Sequence, residues 1–110
     1  MTDVDKKYLS DILQALQLIE SFTSDIKDYS IYIVDLKTQS AVERQLGILG
    51  EAVNKFDKLN PRHPLEDTRQ IIGFRNRLIH TYDAIDQSIV WAIIKNHLEL
   101  LKSEIINRLK

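Results

Sequence analysis

The chain has 110 residues, a formal net charge of −1 and no cysteine. This length suits one domain, and the lack of cysteine excludes disulfides, thiolate metal sites and cysteine nucleophiles. The near-neutral charge excludes a polycation that coats nucleic acid with its whole surface, so any contact with RNA or DNA has to be local. The content of 44% apolar and 28% charged residues is typical of a folded protein.

The sequence carries no signal for a membrane or for secretion. No apolar run approaches the ~20 residues that a membrane span needs. The acidic residues 1–5 are not followed by the apolar core of a signal peptide. We therefore expect a cytoplasmic protein without membrane contact.

Apolar residues recur every three or four positions along the first segment, which predicts a helix. Thr2 or Asp3 can cap it. Its apolar stripe comprises Tyr8, Ile12, Ala15, Ile19 and Phe22. Residues 23–30 are polar and predict a connector. Residues 31–36 have strand propensities, but no second strand is available for pairing, so we interpret them as a short helical turn.

A second long helix is predicted after this turn. Ser40 and Glu43 have the spacing of a capping box, which indicates a helix start or a kink at that point. The apolar seam that follows comprises Val42, Leu46, Leu49, Val53 and Phe56. Gly47 and Gly50 lie inside this helix, where each costs about 1 kcal/mol relative to alanine. We expect another backbone to pass close to them.

The loop of residues 60–64 ends the second long helix. Pro64 suits the first position of a third helix, which carries Ile71, Ile72, Leu78 and Ile79. Residues 83–86 predict a break and a new cap. A single last helix then follows, with apolar residues Ile89, Ile93, Leu98, Leu101, Ile105 and Leu109. The whole pattern predicts an all-α bundle of four to five helices.

Arg75, His80 and Tyr82 form an Arg-x4-His-x-Tyr pattern in the third helix. A permanent cation, an imidazole that titrates near neutral pH and a phenol thus lie in one short segment. Such a set can hold a phosphodiester, move its protons and offer a hydroxyl for modification. Arg75 and His80 would lie about 140° apart on an ideal helix. They share one face only if the helix distorts or ends near His80, or two subunits complete each site.

Each motif residue also has a structural interpretation. His80 suits a capping or buried histidine, and Arg75 suits a salt bridge with an acidic residue such as Glu51. Tyr82 suits an ordinary packing position. Trp91 is interpreted as part of the core rather than as a platform for a base.

The region from the loop to the motif is locally basic, which suits a phosphate track or, alternatively, scattered solvated charge. Its basic residues are Arg62, His63, Arg69, Arg75, Arg77 and His80. His63 is expected in a solvated loop and His97 at a surface or interface. The histidines have no metal-ligand spacing, so we predict no metal site.

Three segments in the same order resemble the HepT-like HEPN family. They are residues 71–82 with Ile89, Val90 and Trp91, residues 35–44, and residues 48–52. The resemblance covers nearly the whole chain and implies one HepT-like HEPN domain over residues 1–110. The family often has Gly where this chain has Thr81, and a Trp-containing turn where it has residues 65–67. These departures bear on substrate preference and loop shape, not on the motif residues.

The resemblance implies the toxin of a type VII-like toxin–antitoxin module. Such a toxin is a homodimeric, metal-independent endoribonuclease that needs no cofactor, with Arg75 and His80 at the dimer interface. Its partner is a minimal nucleotidyltransferase antitoxin that transfers AMP to Tyr82. An AMP group on Tyr82 would bring negative charge and a bulky base beside Arg75 and exclude RNA.

The motif chemistry suits RNA, because the 2′-hydroxyl supplies the nucleophile. His80 can accept the 2′-hydroxyl proton or protonate the leaving 5′-oxygen, and two copies of His80 across a two-fold axis could divide these roles. Arg75 would clamp the phosphate and stabilise the transition state. Asn76 would orient Arg75 or contact a phosphate oxygen, and Arg69 and Arg77 are possible RNA contacts.

Two other functions stay open at this level. One is a non-catalytic helical module that binds a nucleotidyltransferase and presents Tyr82. The other is a nucleotide-binding bundle that uses Arg75 for the phosphate of a mononucleotide.

Overall fold

In a computed structural model, the described part of the chain contains six helices. They are α1 (Asp3–Thr23), α2 (Tyr29–Tyr32), α3 (Leu36–Leu59), α4 (Arg69–His80), α5 (Gln87–Asn96) and α6 (Leu98–Leu109). The structure describes residues 1–80 and 85–110, apart from the side chains of Ile79 and His80. These residues contain no strand, so the all-α prediction is confirmed, with six helices instead of four to five. Within the same ranges, no helix combines the length and the apolar character needed to cross a membrane.

The core is centred on the contact between α1 and α3, which is the most extensive in the bundle. Helix α6 packs against α1, α4 against α3, and α5 against α6. The predicted seam of α3 is confirmed, because all five of its residues are at most 2% exposed. In α1, Ile12, Ala15 and Ile19 are buried as predicted, whereas Phe22 at the end of the stripe is 37% exposed.

Acidic and hydroxyl side chains cap the starts of several helices through local hydrogen bonds. Thr2 caps α1 in a reciprocal capping box with Asp5. Asp35 caps α3 by accepting a hydrogen bond from the Thr38 backbone at 3.0 Å. The start or kink predicted at Ser40 is therefore wrong, because the cap lies earlier and α3 runs unbroken to Leu59.

The short helical turn predicted for residues 31–36 is confirmed in part, because α2, capped by Asp28, ends at Tyr32 and already begins at Tyr29, inside the predicted connector. Residues 33–34 form a turn, and Leu36 begins α3. The prediction that Pro64 begins the next helix is wrong, because α4 begins at Arg69. The Pro64 carbonyl accepts a hydrogen bond from Arg108 Nη2 at 2.8 Å and is not used in a helical ladder. Asp67 has a φ of 51°, which also interrupts a helix at this point.

The prediction of one continuous last helix is wrong, because the chain breaks at His97 between α5 and α6. His97 has φ −122°, outside the helical range. Its ring Nδ1 lies 2.7 Å from Asp67 Oδ2, so the imidazole joins the break to the loop before α4. The predicted cap before α5 is confirmed as Asp86, which accepts a hydrogen bond from the Ser88 backbone at 2.9 Å.

Candidate active site

Helix α4 carries most of the residues predicted for the site. Arg69, Arg75, Asn76 and Arg77 lie along it, and His80 is its last residue. The side chain of His80 and the whole of Tyr82 lie outside the described residues. The roles predicted for these two residues therefore stay predictions.

Gly50 allows α4 to lie directly against α3. A Cβ atom at Gly50 would be 2.5 Å from Arg75 Cβ and 3.3 Å from the Ile71 carbonyl oxygen. The predicted close approach of another backbone is thus confirmed at Gly50. At Gly47 the nearest atom would be Leu78 Cδ1 at 3.3 Å, which is a side chain. Because the stem of Arg75 lies on the α3 backbone, its guanidinium has a defined direction.

The Arg75 guanidinium has two partners among the described residues. Nη2 donates to Glu51 Oε2, which is the salt bridge considered as the structural interpretation of Arg75. Nη1 donates to Asn76 Oδ1 at 3.0 Å, the contact expected if Asn76 orients Arg75. Nε is buried and has no partner in the described part of the chain. The guanidinium therefore has N–H donors that these contacts do not use.

Lys55, which the sequence analysis did not single out, also contacts Glu51. Its Nζ lies 3.7 Å from Glu51 Oε1, four residues along α3. One carboxylate thus faces a lysine of α3 and an arginine of α4. The signal in the sequence was the i, i+4 spacing of Glu51 and Lys55, which is common on helix surfaces.

An open groove of about 620 Å³ runs along α3 beside this cluster, between the start of α1 and the end of α4. Its lining combines apolar and small residues with cations and carboxylates. The lining residues are Lys7, Tyr8, Asp11, Glu43, Arg44, Gly47, Ile48, Glu51, Ala52, Lys55 and Leu78. The groove has the volume for a small ligand or part of a larger chain.

Two consecutive side-chain hydrogen bonds hold the start of α5 against α3. The Tyr32 hydroxyl donates to Gln87 Oε1 at 2.8 Å, and Gln87 Nε2 donates to Glu43 Oε2 at 2.8 Å. Burial raises the pKa of the Tyr32 hydroxyl, so it stays a donor at neutral pH. Trp91 packs on the Tyr32 ring with centroids 5.1 Å apart and belongs to the edge of the core, as predicted.

The predicted basic residues of α4 point in different directions. From helical geometry, Arg77 lies about 160° and Arg69 about 120° from Arg75 around the axis. Hydrogen bonds from Ser88 hold the pKa of Asp86 below its usual value, and the charge of Arg77 lowers it further. Contact of Arg69 and Arg77 with RNA stays a prediction.

Helix α4 continues to His80, so the backbone sets Arg75 and His80 about 140° apart around its axis. Residues 81–84 lie outside the described part of the chain. The conditions under which both residues could serve one site, a helix that distorts or ends near His80 or a second subunit, therefore stay predictions.

The fold and the site define an all-helical protein that presents an arginine, paired with a carboxylate, beside an open groove. Comparison with known proteins identifies its class. The ribonuclease HepT-like family model matches residues 12–107. A protein of Thermococcus cleftensis named "Probable ribonuclease HepT" is 39% identical over 103 residues, which cover 90% of each chain.

Two proteins of Methanocaldococcus jannaschii whose names describe them as putative RNases are each 35% identical to this chain. The alignments cover 91% and 90% of this chain, and 92% and 85% of the relatives. No solved structure matches the chain at a significant level. The chain therefore belongs to the ribonuclease HepT-like family. The predicted family is confirmed, and the predicted enzyme class, an endoribonuclease, is confirmed at the level of that family.

Proposed function

We propose that this protein cleaves RNA internally without a metal ion, by attack of the 2′-hydroxyl on the adjacent phosphate. The observation that carries the proposal is the placement of Arg75. Its stem is fixed by the close approach of α3 at Gly50, and its guanidinium is paired with Glu51, a carboxylate that lines the open groove. The guanidinium is charged at every physiological pH and can give paired hydrogen bonds to a phosphate.

In the proposed reaction the 2′-oxygen bonds to phosphorus as the bond to the 5′-oxygen breaks. One imidazole accepts the 2′-hydroxyl proton, and an imidazolium gives a proton to the leaving 5′-oxygen. The products are a 2′,3′-cyclic phosphate and a 5′-hydroxyl. Arg75 stabilises the charge on the phosphate oxygens in the transition state, and Asn76 holds the guanidinium in place.

A homodimer would supply both imidazoles as two copies of His80. Residues 80 and 75 point about 140° apart on α4, so a second chain is the simplest way to bring a histidine opposite Arg75. We propose that the functional unit is this dimer of one-domain chains, acting on RNA in the cytoplasm. Arg69 and Arg77 would contact more distant parts of the RNA backbone.

We further propose that the protein is the toxin of a toxin–antitoxin module. Its partner would be a minimal nucleotidyltransferase that transfers AMP to the Tyr82 hydroxyl. Tyr82 follows His80 by two residues, so an AMP group there would add a phosphate charge close to the site. Repulsion between this charge and an RNA phosphate would block the substrate.

The cleavage proposal is tested by incubating purified protein with total RNA in EDTA and comparing it with His80→Ala. We expect fragments with the wild type and at least a hundredfold slower cleavage with the variant, because a positioned acid or base contributes about 10²–10⁴-fold. Equal cleavage by both proteins would refute the role of His80. No cleavage by folded, dimeric wild type would favour the non-catalytic module.

The modification proposal has a separate test, which is co-expression with the proposed partner, a minimal nucleotidyltransferase. Intact-mass analysis should show added AMP, and Tyr82→Phe should lose it, whereas Tyr29→Phe should keep it. A wild-type mass without AMP would refute this proposal and leave the cleavage proposal unaffected.

A further inference from the structure

The Glu51 carboxylate lies between two cations that come from different helices. One oxygen accepts a hydrogen bond from Arg75 of α4, and the other lies 3.7 Å from Lys55 Nζ of α3. A carboxylate that bridges an arginine and a lysine matches the charge and the paired oxygens of a phosphodiester. Glu51 thus occupies a place in which an RNA phosphate would find two cations.

The two ion pairs of Glu51 differ in a way that suits exchange with a substrate. Arg75 is held close, with a side chain 21% exposed, whereas the Lys55 side chain is 50% exposed and its contact is loose. Glu51 itself is 41% exposed. The exposed pair of Glu51 with Lys55 contributes about 0–1 kcal/mol, so a phosphate can replace the carboxylate at Lys55 at little cost.

The groove beside Lys55 provides room for the nucleotide that carries this phosphate, with a volume of about 620 Å³. Two other carboxylates line the groove, Asp11, which pairs with Lys7 at 3.0 Å, and Glu43, which accepts a hydrogen bond from the α5 glutamine at 2.8 Å. Arg44, also in the lining, has no ion-pair partner among the residues that the structure describes. Arg44 is therefore a cation that an incoming phosphate would contact without displacing a carboxylate.

We propose that Lys55 is a second phosphate-binding cation of the RNA site, and that Glu51 holds the position of the RNA phosphate until the substrate displaces it. The inference rests on the proposed function and extends it to a residue outside the motif. Glu51 would then also compete with the substrate for binding to Arg75.

The test measures binding separately from cleavage. The probe is a fluorescein-labelled, single-stranded 2′-O-methyl RNA, which has no free 2′-hydroxyl and cannot be cut by the proposed reaction. We expect Lys55→Ala to raise the Kd for this probe roughly fivefold, and to reduce the slope of log Kd against log salt by about 0.7, the value for one lost phosphate contact on a single strand. Lys55→Arg should keep both values.

Lys58→Ala is the matched control, because Lys58 is exposed on the same helix and does not line the groove. It should leave Kd and salt slope unchanged. Lys55→Ala data that coincide with Lys58→Ala would overturn the inference. Thermal unfolding of each variant would verify that the fold is intact.

Glu51→Gln gives the second test, because the neutral amide keeps the shape and removes the competing charge. We expect this variant to bind the probe several-fold more tightly than the wild type. Weaker binding would mean that Glu51 only holds Arg75 in place, and would overturn the competitor role. Cleavage of RNA by the wild type in EDTA is scored independently, so failure of the proposed function and failure of the Lys55 role give different results.

Discussion

Two arginines of this bundle are almost equally exposed, Arg75 at 21% and Arg108 at 25%, yet their donors have different partners. Arg108 donates to the His63 and Pro64 carbonyls at 2.7 and 2.8 Å. It also pairs with Glu104 at 3.0 Å. Arg75 contacts one carboxylate and the amide of its own neighbour, and its buried Nε has no partner among the described residues.

The different partners indicate that Arg108 has a structural role and that Arg75 is suited to binding. Arg108 uses its charge to hold the backbone of the loop before α4, and its guanidinium lies 5.6 Å from the centre of the Phe56 ring. Arg75 is paired with Glu51, a carboxylate that lines the open groove. Partial burial and a glutamate partner are common to both, so neither property identifies function by itself.

Substitution of each arginine by alanine should give the largest contrast. We expect Arg75→Ala to slow RNA cleavage about a hundredfold or more, because it removes donors to the charge of the transition state. Arg108→Ala should retain cleavage within about twofold per folded molecule, since Arg108 holds a loop outside the proposed site. The measurement is the initial rate of cleavage of a labelled RNA, normalised to folded protein. Similar losses in both variants would remove the distinction.

The glycine under Arg75 offers a sharper perturbation of the same region. Gly50→Ala places a Cβ 2.5 Å from Arg75 Cβ, and overpacking of this kind costs about 1–3 kcal/mol. Gly73→Ala is the control on α4, because the described residues place no atom within 4 Å of its new Cβ apart from its chain neighbours and the backbone of its own helix. It should stabilise the protein by about 0.5–1 kcal/mol. Urea unfolding checks both values, and a neutral Gly50→Ala would contradict the close contact of α3 with α4.

Arg108→Ala should also lower the free energy of unfolding. It removes two hydrogen bonds to carbonyls and one ion pair at partial exposure, for which we expect a loss of about 1–2 kcal/mol. Arg75→Ala should cost less, because fewer of its donors have partners. A larger loss of stability for Arg75→Ala than for Arg108→Ala would reverse the structural assignment of the two residues.

The smallest expected effect concerns pH and the cap of α5, which follows the motif. Hydrogen bonds from Ser88 lower the folded-state pKa of Asp86 below its ordinary 3.8. A lowered pKa means that the stabilisation is complete above pH 3.8 and is lost as pH falls through the folded-state value. Asp86→Ala should therefore lower the melting temperature near neutral pH, and the difference from wild type should shrink in acid.

Asp25→Ala is the control for this experiment, because Asp25 is an exposed turn residue that caps no helix. A difference between wild type and Asp86→Ala that stays constant from neutral to strongly acidic pH would contradict the role of the ionised carboxylate.

Much of the fold could be predicted because it depends on local periodicity. The seam from Val42 to Phe56 is apolar at helical spacing and is buried against α1 in the structure. The caps at Thr2 and Asp86 follow from the chemistry of their own side chains. These features need only neighbours within a few residues, so the sequence pattern was sufficient.

The errors arose where contacts distant in the sequence decide the backbone. Arg108 donates to the Pro64 carbonyl across 44 residues and so joins α6 to a loop in which Pro64 would otherwise favour a helix start. The break at His97 has no glycine or proline to mark it, and its imidazole is joined to Asp67 across 30 residues. Ser40 has the spacing of a capping box, but Asp35 lies earlier and already caps the helix by accepting a hydrogen bond from the Thr38 backbone.

Part of the candidate site could be predicted from the sequence, and the rest depends on packing between helices. Arg75, Asn76 and the alternative partner Glu51 were all named from the sequence, and the structure brings the three together. Lys55 was missed because an exposed lysine four residues after a glutamate is an ordinary surface pattern. Only the packing of α4 on α3 shows that this lysine shares its carboxylate with the motif arginine.

In the proposed reaction, the 2′-hydroxyl of RNA is the nucleophile, and protein side chains alone manage the protons and the charge. This chemistry is tested by cleavage in EDTA of two RNA oligonucleotides that differ by one 2′-deoxyribose at the mapped cut position. We expect the unmodified strand to be cut there and to end in a 2′,3′-cyclic phosphate, while the substituted strand stays intact at that position. Cleavage of both strands at equal rates would rule out the 2′-hydroxyl as the nucleophile.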